Sequence, residues 1–288
     1  MSAIFQKEFK SFFDSMVGYV VVAFILLVTG IFTFANNLSA GYPNFEYVLS
    51  NISFVMLFVV PILTMRSVSE EKRSRTDLLL YALPEPMWQI ILGKYLAMVA
   101  VFAIPCGVMA LYPLLLSMYG TVAFLPAYSS LIAFFLLGCA LIAIGMFMSS
   151  LTESQVISAV LSFGAMLLCY LMTGIAGLMP STALASYIGF AAAALLLALL
   201  IYYVTKNYWI AFCAALVTEG GVLLLYMVSP DTMLGSFPSV LNWLAVFNRL
   251  DTFIYSGLFD LTAILYYLSV AFCFVWFTVQ AMEKKKWS

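Results

Sequence analysis

Apolar runs of about 20 residues recur along this chain, near 17–35, 48–65, 90–117, 128–148, 156–178, 183–204, 208–228 and 261–281. Each is long enough to cross a bilayer as a helix, since a residue rises about 1.5 Å and the hydrocarbon layer is about 30 Å thick. The pattern predicts an all-α, polytopic transmembrane bundle of eight spans forming one domain over 1–288. Pro61, Pro105 and Pro113 lie inside the second and third runs, where kinks are tolerated in membrane helices. The first run, from Val17, is too long for a signal-peptide core and reads as a retained span.

Three stretches break the apolar rhythm. In residues 1–16, Ile4, Phe5, Phe9, Phe12, Phe13 and Met16 recur at helical spacing against Lys7, Glu8, Lys10 and Asp14, which predicts an amphipathic helix lying in the membrane surface. In 229–260, Val240, Leu244, Phe247, Leu250 and Ile254 recur at three- and four-residue steps among Asn242, Arg249 and Asp251. That segment reads as one or two helices at the far interface, or as a partly re-entrant element. The third stretch, RSVSEEKRSRTDLLLYALPEP at 66–86, is the most polar. Only 25 of the 288 residues are charged, and eight of them, Arg66, Glu70, Glu71, Lys72, Arg73, Arg75, Asp77 and Glu85, fall here.

Composition and charge sharpen this picture. A chain that is 65% hydrophobic and 9% charged is not a soluble globule. A net charge of −1 and the absence of histidine leave no basic surface for nucleic acid and none of the usual imidazole metal ligands. The five cysteines, Cys106, Cys139, Cys169, Cys213 and Cys273, stand singly in apolar runs and read as packing residues. With the amino terminus inside, eight spans put 11 of the 12 basic residues on the cytoplasmic side. Only Arg249 falls outside, beside Glu46, Asp231, Asp251 and Asp260. Both termini and 66–86 then face the cytoplasm.

Candidate chemistry is sparse. No GxxxxGK[ST] motif is present, so the chain has no P-loop for ATP. Without histidine no Ser/His/Asp or Cys/His set can be assembled, and an enzyme is not expected. Glu219, in the EGG of the seventh run, is a carboxylate inside a span. It is either a proton or cation site near an unwound turn at Gly220 and Gly221, or a protonated side chain bonded to a neighbouring helix. Ser154, Ser158 and Ser162 repeat every four residues, near Ala165, as small residues do at a dimer seam, along a polar path or in packing within one subunit.

Within 66–86 a charged half, EEKRSR, precedes an apolar half, LLLYAL, and Pro84 and Pro86 end the helix. Ser67 with Glu70 fits a capping box. Leu78, Leu79, Leu80 and Leu83, outside the membrane, call for burial against this protein's own helices or a partner.

The order of an amphipathic amino-terminal helix, a first hairpin of spans and EEKRSRTDLLLYALP at 70–84 resembles the permease subunit of ABC-2 type transporters. Glu70, Glu71, Lys72, Thr76, Leu78, Leu79, Leu80 and Pro84 match that family's cytoplasmic segment, with Arg75 where glycine is usual and Asp77 where glutamate is usual. FNRLDTFIYSGLFDLTAILYYLS at 247–269, before a last run ending in EKKKW, is similar to the gliding-motility GldF-like branch. Branch members usually have six spans, which makes the pair around 183–228 an addition.

The resemblance implies a subunit of an exporter in the bacterial cytoplasmic membrane. Two permease subunits, alike or different, form the pathway among membrane lipid, with an auxiliary subunit on the far side, and a separate ATP-binding-cassette ATPase docks beneath. ATP is used by that partner, and this chain carries no cofactor. Residues 66–88 become the coupling segment, with Glu70, Glu71, Arg73 and Arg75 orienting the ATPase and Leu78, Leu79, Leu80 and Leu83 packing the helix. Two other classes compete with this reading: a stand-alone ion-coupled carrier using Glu219, and a membrane scaffold of a surface machine.

Overall fold

The computed structural model of the chain describes residues 2–76, 86–205, 208–228, 230–256 and 260–286, and the regular elements among them are all helices. Helices satisfy every backbone donor and acceptor within one segment, which a lipid environment demands. The amino-terminal half holds α1 (Ser2–Asp14), α2 (Val17–Thr33, continued as a π-helix over Phe34–Ser39), α3 (Glu46–Ser53), α4 (Met56–Thr64), α5 (Ser69–Ser74), α6 (Met87–Met109) and α7 (Tyr112–Leu116). After these come α8 (Phe124–Ser150), α9 (Gln155–Leu178), α10 (Ala183–Thr205), α11 (Tyr208–Val228), α12 (Pro230–Met233), α13 (Ser236–Leu244), α14 (Asn248–Ser256) and α15 (Leu261–Lys286).

Of the eight spans expected, the described residues show five, or up to seven. Val17–Ser39, Met87–Leu116, Phe124–Ser150, Gln155–Leu178 and Leu261–Lys284 are long and apolar enough to cross a membrane. Two further pairs are bent, Glu46–Ser53 with Met56–Ser74 by 61° and Phe212–Val228 with Asp231–Leu244 by 117°, so the described residues hold seven spans if each pair counts as one. Within α10, Ala183–Leu196 is a further apolar stretch, and the whole helix Ala183–Thr205 has 23 residues, about 34 Å at 1.5 Å per residue. The second run bends at Phe54–Val55, ahead of Pro61, which lies inside α4. Pro113 instead lies in the first turn of α7, where its missing N–H costs little, and only Ala110 and Leu111 separate α6 from α7 within one span.

The helices form two compact units, Met1–Tyr170 with Val246–Ser288, and Leu171–Ala245. In the first unit α8 is the hub, packed against α15, α6, α4, α14 and α3. Two glycines on α8 permit this close approach. A β-carbon at Gly138 would lie 2.1 Å from the Phe102 ring of α6, and one at Gly145 would lie 2.4 Å from Thr64 Oγ1 of α4. Phe102 also packs near Phe134 and stacks on Phe135, at 6.1 and 5.9 Å.

Charge gathers at one end of this unit. There α1, the turn after α4, α5, the start of α6 and the last turn of α8 meet through side-chain bonds. Phe147 near the end of α8 packs on Phe274 and Phe277, which brings the late turns of α15 to the same end. At the opposite end Phe45 stacks on Tyr112 at 5.8 Å, and the Tyr267 hydroxyl donates to the Val246 carbonyl at 3.2 Å. Arg249 sits 5.4 Å over the Tyr266 ring.

The amphipathic helix forms as expected over Ser2–Asp14, but its apolar side is not given to lipid alone. Phe12 is buried, and Ile4, Phe9 and Phe13 pack against the core, while Lys7, Lys10 and Asp14 remain exposed. Segment 229–260 is three short helices and not one or two. Phe247, Leu250 and Ile254 are buried in the first unit, whereas Val240 and Leu244 are exposed. The stripe is split because α13 ends at Leu244 and Ala245 is extended, so the two halves belong to different units.

The second unit pairs α10 with α11 and lays α13 on α10. Phe237 meets Phe190 edge-on at 5.0 Å and covers Gly189, where a β-carbon would lie 2.4 Å from its ring.

Two substitutions separate tight from open glycines. Gly138→Val should lower stability by about 1–3 kcal/mol, because the branched side chain must displace the Phe102 ring. Gly220→Ala, where an added β-carbon meets nothing within 4 Å, should leave the thermal midpoint in detergent unchanged or slightly raised.

Candidate functional site

The site starts from a charge in the wrong place. Lys94 lies in the second turn of α6, inside an apolar run, and is only 3% exposed. Its ammonium has three protons to donate and three acceptors receive them: Glu71 Oε1 at 2.6 Å, Glu8 Oε1 at 3.1 Å and the Ser67 carbonyl at 3.2 Å. Glu8 and Glu71 are themselves 17% and 15% exposed. One buried cation therefore ties together α1, the turn after α4, α5 and α6. Removing one partner from such a group leaves an uncompensated charge, which is what makes the linkage strong.

The charged segment is pinned on a second side by α8. Val68 N–H and Ser69 N–H both donate to Ser149 Oγ, at 3.3 and 3.2 Å, and Lys72 Nζ donates to the Ser150 carbonyl. The capping box expected of Ser67 and Glu70 is not formed. Val68 is the N-cap residue of α5, and Ser67 Oγ instead donates back to the Thr64 carbonyl at 2.9 Å. The first amides of α5 thus find their acceptor in another helix, so the start of α5 is set by tertiary contact and not by its own sequence.

At its other end α5 closes in a Schellman motif. Thr76 N–H donates to the Glu71 carbonyl at 3.0 Å and Arg75 N–H to the Lys72 carbonyl at 3.3 Å. Arg75 takes the left-handed conformation, φ 56° and ψ 21°. Glycine adopts that conformation freely and arginine at a cost of about 1–2 kcal/mol.

These two anchors sort the expected docking residues. Glu70, Arg73 and Arg75 are exposed, together with Ser74 and Thr76. Glu71 is turned inward and belongs to the ion cluster. Leu78, Leu79, Leu80 and Leu83, with Asp77, Pro84 and Glu85, lie outside the described residues.

The other candidates fall elsewhere. Ser158 and Ser162 are fully buried within the first unit, where Ser162 Oγ donates to the Gly145 carbonyl of α8 at 3.4 Å. Ser154 is half-buried at the start of α9, its carbonyl accepting from Ser158 N–H at 2.9 Å. Their four-residue spacing thus serves packing inside the chain. Glu219 belongs to the second unit, half-buried on α11, and the helix runs unbroken through Gly220 and Gly221. The unwound turn expected there is absent, since neither glycine takes a left-handed or other non-helical conformation.

From the sequence Lys94 is one of the 11 basic residues placed on the cytoplasmic side, and neither its role nor those of Glu8, Ser149 and Ser150 was read. For Lys94 the signal was available: a lysine within an apolar run of spanning length is costly unless it is paired. The serines carried no such signal, because nothing local marks the residues that receive amides from another helix.

Comparison with known proteins finds no family model that matches the chain and no curated protein that matches it.

Two measurements probe this end of the molecule. Lys94→Met should lower stability by about 3–5 kcal/mol by stranding two carboxylates, and adding Glu71→Gln should restore part of the loss. A Lys94→Met protein that melts like the parent would show that the ion cluster holds nothing. Arg75→Gly should raise the thermal midpoint by about 2 °C by relieving the left-handed arginine, whereas Arg75→Val should lower it.

Proposed function

We propose that this chain is the transmembrane permease subunit of an ATP-binding-cassette transporter, driven by a separate ATPase that seats against the charged end of the first unit. One observation carries the reading. The segment from Arg66 to Thr76 is bonded on its inner side to α6 and α8, and through Lys94 to Glu8 of α1, while Glu70, Arg73 and Arg75 are exposed on its outer side. A solvated loop needs no such anchoring. An element that receives force from a partner does, because it must move as a rigid body with the helices it drives.

In this mechanism closure of the ATPase pushes α5. Lys94 passes the displacement to α1 and α6, and the Ser149 and Lys72 bonds pass it to the end of α8. Glu71, expected on the docking face, is here a positioning residue for that transmission. The exposed Glu70, Arg73 and Arg75 orient the partner, and the leucines of 78–83 complete the coupling segment as the ABC-2 resemblance implies.

The charged end is assigned to the cytoplasm by the positive-inside rule, since it carries Lys7, Lys10, Arg66, Lys72, Arg73, Arg75 and Lys94. Counting the bent α3–α4 pair as one crossing, the first unit crosses six times. The chain leaves it at Tyr170 and returns at Val246, and Phe247 packs edge-on against Tyr170 at 5.3 Å. An even number of crossings with both breaks at the far end supports reading both termini as cytoplasmic. It also makes Leu171–Ala245 an excursion from a six-span core, which is where the resemblance puts the added pair.

The test is recovery of the tagged full chain from its native membranes in mild detergent, reading co-purified ATPase. A stoichiometric ATP-binding subunit is expected, and Glu70→Ala with Arg73→Ala should cut its retention about tenfold or more without lowering the thermal midpoint. A solitary chain without ATPase, or full retention in the double variant, would defeat the proposal. Glu219→Gln should leave transport intact in this reading and abolish it in a stand-alone carrier.

A further inference from the structure

Beside the ion cluster lies a cleft of about 100 Å³, open on one side and lined by Glu8, Ser11 and Phe12 of α1, by Ser15 just after it, and by Arg66, Ser67 and Glu70 around the turn into α5. Its lining sets opposite charges and hydroxyls beside the Phe12 side chain, unlike the mainly apolar walls of the cleft between α10 and α11. Arg66 is its one cation. The guanidinium Nε is buried and has no hydrogen-bond partner among the described residues, a costly state for a buried donor. Glu8 commits Oε1 to Lys94, and Glu70 is exposed. Ser67 and Ser15 donate to backbone carbonyls of Thr64 and Phe12, which leaves their oxygen lone pairs for a ligand donor.

The cleft also sits at a telling depth. One wall is the amphipathic α1, whose Phe12 is buried while Lys7, Lys10 and Asp14 face water. The other wall is the turn where α4, part of a bent spanning pair, gives way to charged sequence. Both features belong to the headgroup layer of a membrane. The volume is too small for a whole permeant molecule, since ligand sites run to about 300–1,000 Å³, but it suits a compact polar headgroup with its chains outside.

We propose that this cleft seats the headgroup of a phosphatidylethanolamine-type lipid, its phosphate on Arg66 and its primary ammonium between Glu8 and Glu70. The charge pattern selects this class. A phosphate pairs with the guanidinium of Arg66, the one cation among the residues lining the cleft. Two carboxylates attract the ammonium and repel an anionic headgroup such as that of phosphatidylglycerol. A choline headgroup matches the net charge but has no N–H to donate to either glutamate. The inference rests on the chain being a membrane protein and does not depend on an ATPase partner.

The experiment is native mass spectrometry of the delipidated full chain, titrated with phosphatidylethanolamine, phosphatidylcholine and phosphatidylglycerol of identical acyl chains. One phosphatidylethanolamine should be retained at least tenfold more tightly than either other lipid. Arg66→Gln should lose that retention, and Glu70→Gln should bring phosphatidylethanolamine down to the level of phosphatidylcholine. Glu70 is exposed, so its variant keeps the test alive if Arg66→Gln fails to fold. Equal retention of the three lipids, or a preference unchanged in Glu70→Gln, would overturn the proposal. Soluble glycerophosphoethanolamine should bind far more weakly than the lipid, and equal affinity would reassign the cleft to a soluble phosphoamine. The lipid titration is made on the chain without any ATPase, so the readouts of both Arg66→Gln and Glu70→Gln are separable from partner docking, in which Glu70 is also placed.

Discussion

A primary ammonium held out of water sets the terms for the charged end of this molecule. A lysine in an apolar run is costly unless its donors are matched, and for Lys94 the matching groups come from three other places in the chain: Glu8, Glu71 and the Ser67 carbonyl. Once that requirement is met, the positions of α1, α5 and the turn between α4 and α5 follow. The amphipathic helix cannot drift along the membrane surface, because Glu8 holds it to α6. The charged segment cannot swing free, because Glu71 is spent on the same cation and its first amides on Ser149.

The rigidity at that end continues into the bundle through α8. A hub helix must be approached from several sides at once, and in a membrane close approach depends on small residues, since apolar side chains gain little by leaving lipid for one another. Gly138 and Gly145 supply the notches for Phe102 and Thr64, and the buried Ser162 bonds to the backbone at one of them. A push on α5 would thus reach α8 twice, through Ser149 and Ser150 at its end and through Thr64 against Gly145 a turn and a half earlier. That geometry is what supports the proposed transmitting role of the anchored segment.

Much of the fold was legible along the chain. Residue count and hydropathy alone mark the long helices over Phe124–Ser150, Gln155–Leu178 and Leu261–Lys286, because length and lack of charge are what a bilayer requires. The amphipathic pattern of Ser2–Asp14 was equally plain. What misled was any pattern whose meaning depends on a partner. Val240 and Leu244 share a spacing with Phe247, Leu250 and Ile254, but an extended Ala245 separates them into different units. Glu71 has the look of its neighbours Glu70 and Arg73, and only the position of Lys94 turns it inward. The glycines beside Glu219 suggested a broken helix, yet backbone hydrogen bonding within α11 carries it straight through.

The sequence by itself determined that this chain is helical and membrane-embedded, and that its charges collect in few places, since those properties are sums over residues and need no neighbour to be evaluated. Tertiary structure alone decided which of the charges face each other and which face outward. It also decided where α5 begins, and that Ser158 and Ser162 are enclosed within the chain. Those outcomes turn on pairwise distances between segments about 20 to 90 residues apart, and the cost of a buried charge or an unpaired amide is settled by whichever group arrives within bonding distance.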